Sequence, residues 1–188
     1  MVPYFGVLFI NFYSKMIIVL LGYMGSGKSS VGKILAKKLK YEHIDLDDFI
    51  AESEGKSIKK IFKKKGEVYF RKKETKCLKA VLKLKGNIVL SLGGGTPCYA
   101  NNMELILKNE SAVSVYLKGS LPFLVKKLFA KKAKRPLIAH IPSEDLLAEF
   151  IGKHLFERSQ FYEKARYHVS TDGKEKIEIA EAVISKLF

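Results

Sequence analysis

Eight consecutive residues, Gly22-Tyr23-Met24-Gly25-Ser26-Gly27-Lys28-Ser29, fit the phosphate-binding loop pattern in full. Their spacing suits one kind of chemistry. The glycines let the chain curl until successive backbone N–H groups point inward at phosphate oxygens. A helix opening near Lys28 adds its positive dipole end, Lys28 reaches the outer phosphates, and the Ser29 hydroxyl can ligate Mg²⁺. An apolar run precedes the motif and a helical pattern follows it, the context that separates a phosphate loop from a plain glycine turn. Gly25, Ser26, Gly27, Lys28, Ser29 and Ser30 are therefore the candidate nucleotide-binding residues.

A phosphate loop identifies a nucleotide user and leaves the acceptor open. In Ile44-Asp45-Leu46-Asp47-Asp48, strand-like alternation aims Asp45 and Asp47 the same way, towards a ligand-binding sheet edge. One carboxylate near Mg²⁺ and one near an acceptor hydroxyl is a sensible division for phosphoryl transfer. A helix N-cap by Asp47 or Asp48 before Phe49 explains the same residues equally well. Arg71 and Glu74, three apart in Gly66-Glu67-Val68-Tyr69-Phe70-Arg71-Lys72-Lys73-Glu74, share a helix face, as a simple surface ion pair also would. Gly93, Gly94 and Gly95 end a strand, where glycine admits a ligand or another backbone closely. Arg158 lies about one helical turn before Tyr162, and a solvated Arg is the simpler reading of it alone.

These residues need elements to hold them. Apolar runs predict strands at Met16–Leu21, His43–Asp45, Ile88–Leu92, Ala112–Leu117 and Tyr167–Ser170, with helical patterns at about 28–40, 57–85, 99–109, 120–130, 143–164 and 175–187. Such alternation predicts an α/β fold with a parallel sheet covered on both faces. The basic stretch 130–142 reads as a mobile flap or an exposed turn. Residues 1–15 are apolar but interrupted by Asn11, Ser14 and Lys15, which argues against a membrane span or signal peptide. They remain open between an extra strand, a disordered arm and a start-site artefact.

The chain has 188 residues, 47% of them hydrophobic, which excludes global disorder. Two cysteines, Cys77 and Cys98, are too few for a disulfide framework or zinc site and suit a reducing compartment. The net charge of +15 invites a nucleic-acid partner, but only four of the 34 basic residues are Arg, leaving 30 dispersed Lys. Arg is the residue that bidentate carboxylate and phosphate recognition favours, so those four positions carry more information than the total.

Together the motifs resemble the shikimate kinase family of nucleoside monophosphate kinase-like P-loop proteins, from about Met16 to the C-terminus. The most specific are Gly-Glu-x-x-Phe-Arg-x-x-Glu, the triple glycine, Arg135-Pro136-Leu137, and Arg158 to Tyr162 ending at Ala165, the last one position early. The resemblance implies a three-layer α/β/α fold with a central, mostly parallel five-stranded sheet. It implies one domain over 16–188, substrate-binding helices at about 46–75 and a mobile lid at about 130–142. The implied reaction is ATP-dependent phosphorylation of the 3-hydroxyl of shikimate, with Mg²⁺ as cofactor. Carried over by position, Asp47 binds the acceptor hydroxyl as base or orienter, with Lys28 and Arg135 as its catalytic partners. Asp45 and Ser29 hold the Mg²⁺ shell, Arg71 and Arg158 clamp the acceptor carboxylate, Gly93, Gly94 and Gly95 supply backbone contacts, and Glu74 orients Arg71. The family often has Arg at the adenine; here Lys127 and Lys174 stand in those regions. The expected setting is a cytoplasmic monomer with shikimate and ATP as its partners, and no nucleic acid or membrane. A gluconate-type kinase of the same fold is the nearest alternative, against which stands that a neutral or differently charged acceptor would not need both Arg71 and Arg158; a nucleic-acid-associated P-loop NTPase is the more distant one.

Overall fold

The run Ile-Ile-Val-Leu-Leu forms β1 (Ile17–Leu21), and all five residues are buried. A strand buried on both faces requires helices on each side. The computed structural model describes residues 15–135 and 137–188. The extension over 1–15 therefore lies, apart from Lys15, outside the described residues, as does Pro136 of the Arg-Pro-Leu triplet. The remaining strands are β2 (Glu42–Asp45), β3 (Ile88–Ser91), β4 (Ala112–Lys118) and β5 (Tyr167–Ser170). They pair in the order β2-β3-β1-β4-β5, every pair parallel.

Side chains alternate across a strand, so β1 feeds two cores. Ile18 and Leu20 pack with Val31 and Leu35 of α1 (Lys28–Leu39) and with Ile179 and Val183 of α7 (Lys176–Leu187). Ile17, Val19 and Leu21 face the larger core under α2 (Leu46–Glu54), α3 (Ile58–Val81), α4 (Asn102–Leu107), α5 (Leu121–Phe129) and α6 (Glu144–Tyr162). Each such aliphatic side chain contributes about 1.5–3 kcal/mol on burial. The three-layer α/β/α fold follows from this two-sided burial. No helix among the described residues is long and apolar enough to cross a membrane.

Three local features add detail to the sequence expectation. The helical pattern at 57–85 is preceded by a separate short helix, α2, whose N-cap is Asp45: its Oδ1 accepts from the Asp47 N–H at 3.1 Å. Neither Asp47 nor Asp48 is the cap; both lie in the first turn, where carboxylates favour the helix dipole. The aspartates therefore converge through a strand-to-helix turn and not through strand alternation. Within α3, Gly66 (φ 77°, ψ 174°) breaks the helix just before the Glu67–Glu74 motif. Finally, the stretch 130–142 is anchored. Ile138 and Ile141 are buried in the larger core, and Lys132 Nζ donates to the Ile141 carbonyl at 2.7 Å.

Candidate active site

β2, β3 and β1 are adjacent in the sheet, and the loops leaving their carboxyl ends meet at one cavity of about 410 Å³. Gly25, Gly27, Lys28, Ser29 and Ser30 line it from the loop after β1. Asp45 and Asp47 come from the turn after β2, Gly93 and Gly94 from the loop after β3. Gly27 (φ 102°) sits in a left-handed conformation as it delivers the chain into α1, which a side chain would strain. Lys28 is buried, and its Nζ donates to the carbonyls of Gly22 (2.8 Å) and Tyr23 (2.9 Å). Burial lowers the Lys28 pKa to about 8, opposed by the nearby Asp47 and Asp45 carboxylates and assisted by Arg135.

The two aspartates occupy distinct settings. Asp45 accepts from the Ser29 hydroxyl at 2.5 Å through Oδ2, while its other oxygen caps α2. Among the described residues none donates a comparable bond to the Asp47 side chain; burial first, then repulsion from Asp45 and Glu74, raises its pKa to about 6. A carboxyl near neutrality facing a phosphate loop is suited to accept a proton from a substrate hydroxyl.

Beyond the cavity, the triple glycine is a thin wall. A Cβ on Gly93 would lie 3.1 Å from Asp47 Oδ1, and one on Gly94 would lie 3.4 Å from the Met24 N. A Cβ on Gly95 would lie 2.8 Å from both terminal nitrogens of Arg71. Arg71 therefore lies directly on Gly95. Its Nη1 donates to Glu74 Oε2 at 3.0 Å and its Nε to Glu67 Oε1 at 3.3 Å. Glu74 is buried, which makes this more than a surface pair. Arg158 projects from α6 with its guanidinium carbon 5.7 Å from the Tyr23 ring centre. The half-buried Cys98 thiol, pushed up to about 11 by burial, feels the field of both Arg158 and Arg71. Both arginines thus lie within electrostatic reach of Cys98, and neither lines the main cavity.

The other expected residues divide. Arg135 lines the main cavity together with Lys127. Lys174 does not; it lines a neighbouring hollow of about 470 Å³, which shares Lys127 and Lys176 with the first. The Ser26 side chain is buried, has no hydrogen-bond partner among the described residues and is not part of the cavity lining. Lys131, from the basic stretch 130–142, and Lys176, which belongs to no motif, also line the cavity. Tyr162, noted only for its spacing, is buried and donates its hydroxyl to the Gly94 carbonyl at 2.5 Å. Thr96 carries no sequence signal of its own; its Oγ1 donates to Glu74 Oε1 at 2.6 Å.

The sequence model of the family described as shikimate kinase matches residues 24–188. The chain belongs to the shikimate kinase family. A curated shikimate kinase from Flavobacterium psychrophilum is 46% identical over 171 residues, covering 91% of this chain and 98% of that one. Among solved structures, the shikimate kinase of Bacteroides thetaiotaomicron superposes with a TM-score of 0.81 at 35% identity, covering 92% of this chain and 96% of the other. The shikimate kinase of Acinetobacter baumannii in complex with shikimate gives a TM-score of 0.81 at 31% identity, with 94% of each chain covered. The family carries ATP as co-substrate, which agrees with the phosphate loop built after β1.

Proposed function

We propose that this member of the shikimate kinase family transfers the γ-phosphoryl group of ATP to the 3-hydroxyl of shikimate. The observation that carries the reading is the acceptor side of the site: Arg71, fixed by buried Glu74, and Arg158 lie behind the glycine wall, with Asp47 at its edge. A small acceptor bearing one carboxylate and several hydroxyls matches that arrangement. The arginines would take the carboxylate and Gly93–Gly95 the ring, leaving a hydroxyl against Asp47. Asp47 then orients that hydroxyl and accepts its proton as the phosphoryl group arrives. Lys28 and Arg135 stabilise the charge on the transferring group. Charge at fixed geometry is what transfer between two anions demands.

Mg²⁺ fits the donor set. Ser29 Oγ and Asp45 Oδ2 form a pair of oxygens at the mouth of the loop. Among the described residues no cluster of three or more His, Cys, Asp or Glu side chains could hold an ion alone. A hard cation completed by waters and phosphate oxygens suits such a site. Bound there, it would neutralise phosphate charge, with Ser29 as ligand and Asp45 holding its water shell. Lys127, between the two hollows, and Lys174 are the groups we assign to the adenine end. Arg135 rides on the stretch 130–142, which we assign as the lid, anchored by Ile138 and Ile141. All the groups named come from one chain, so a monomer suffices. The two free cysteines agree with a reducing, cytoplasmic setting.

The test is ADP release measured by a coupled assay over shikimate, gluconate and polynucleotide. Turnover with shikimate alone is expected; equal turnover with gluconate, or stimulation by polynucleotide only, would overturn the proposal. Arg71→Ala should raise the shikimate KM by about 10²-fold while leaving the ATP KM within about twofold, since a charge-assisted bond contributes about 1.5–3 kcal/mol. An equal loss for both ligands would remove Arg71 from the acceptor site.

A further inference from the structure

Glu74 has two oxygens, and the roles assigned above use only the one that faces Arg71. The other accepts from Thr96 Oγ1 at 2.6 Å, and both residues are buried. That length is typical of a hydroxyl bonded to a charged carboxylate. The Thr96 hydroxyl has little freedom. Its N–H donates to the Gly93 carbonyl at 3.1 Å, its own carbonyl accepts from buried Asn102 Nδ2 at 2.9 Å, and Pro97 follows it. The backbone of the β3 loop therefore aims this hydroxyl at Glu74.

A second observation gives that aim a purpose. The point where a Gly93 Cβ would stand lies 3.0 Å from Thr96 Oγ1, 3.1 Å from Asp47 Oδ1 and 3.3 Å from Glu74 Oε1. Two carboxylates thus share one small space, and like charges there repel. Without a donor on Oε1, the Glu74 carboxylate would rotate or draw in water, since a buried charge does not remain half-satisfied. Rotation would also take Oε2 away from Arg71.

We propose that Thr96 is a positioning residue: its hydroxyl locks Glu74 so that Oε2 directs the Arg71 guanidinium at the carboxylate of the acceptor. This rests on the acceptor reading given above. Thr96 touches no reacting atom; it acts through Glu74.

Thr96→Val keeps the shape and removes the donor. It should raise the shikimate KM about tenfold or more, with the ATP KM within about twofold, and Thr96→Ser should restore the native value. In a Glu74→Gln background, Thr96→Val should add less than about twofold, because the two changes act on one link. A direct readout comes from the arginine side chains of ¹⁵N-labelled protein. With only four arginines, the Arg71 Nε–Hε signal can be assigned by Arg71→Lys. That signal should broaden or exchange faster in Thr96→Val and stay sharp in Thr96→Ser. Should Thr96→Val fail to fold, Thr96→Ala is read in the same way. An unchanged shikimate KM and an unchanged Arg71 signal would overturn the proposal, as would full additivity with Glu74→Gln or an equal rise in both KM values. A native enzyme inactive on shikimate overturns the acceptor reading instead, and the Arg71 signal still decides the role of Thr96.

Discussion

Asp47→Asn should lower kcat by about 10²–10⁴-fold, the usual worth of a positioned proton acceptor, with both KM values moving far less. The pH dependence supplies the sharper form of this prediction. Asp47 titrates near 6 because burial and the neighbouring Asp45 and Glu74 disfavour its charge. Only the ionised form can accept a proton, so kcat/KM for shikimate should rise with unit slope as pH climbs through about 6. That limb should be absent from the residual activity of the variant. Stability moves the other way. Because the folded pKa lies above the unfolded value of 3.8, the ionised carboxylate is a burden on the fold that sets in between pH 4 and 6 and persists above it. Asp47→Asn should therefore raise the melting temperature at pH 7.5 and leave it nearly unchanged at pH 4. A variant as active as the native enzyme, or one with an intact acid limb, would remove Asp47 from the chemistry.

Lys28→Met should cost about 10²–10³-fold in kcat, the scale for deleting one preorganised donor to the transition state. Met fills much the same space, so a folded protein is expected beside the loss. The alkaline side carries the signature. Burial brings the Lys28 pKa down to about 8, and only the protonated amine can neutralise phosphate charge. kcat/KM for ATP should accordingly fall as pH rises through about 8. With the phosphates bound, the opposite charge holds the proton more tightly, so the same limb in kcat should lie at higher pH. Identical limbs in both parameters would show that another group is being titrated.

Much of this site was legible because its chemistry is written in contiguous motifs. The phosphate loop, the aspartate pair, Arg71 with Glu74 and the triple glycine each occupy a short stretch; parallel pairing of β2, β3 and β1 brings the loop, the aspartates and the glycines together, and α3 lays Arg71 on Gly95. Strand β5 matched its expected bounds, and the other strands shifted by one residue at an end, since hydrophobic runs mark buried strands directly. What the sequence concealed depends on turns and on distant partners. The helix α2 begins inside the aspartate run, so Asp45 serves as both cap and partner of Ser29, a double role that alternation could not reveal. Thr96 carries no motif of its own; its meaning comes from a carboxylate 22 positions earlier. Lys176 is lost among 30 similar residues until the fold selects it. The basic stretch 130–142 shows its charge in the sequence but not its two core contacts, Ile138 and Ile141, which only the fold places.

The register of β1 on β3, with Leu20 opposite Ser91, amounts to a built-in ruler. The nucleotide loop leaves one of these strands and the acceptor loop leaves the other, and neighbouring strands stand about 4.8 Å apart. Donor and acceptor roots are thus separated by a spacing that backbone hydrogen bonding sets, whatever side chains evolve around them. With Arg71 and Arg158 as the proposed acceptor clamp, a change there would alter substrate preference while the gap to be crossed by the phosphoryl group stays constant.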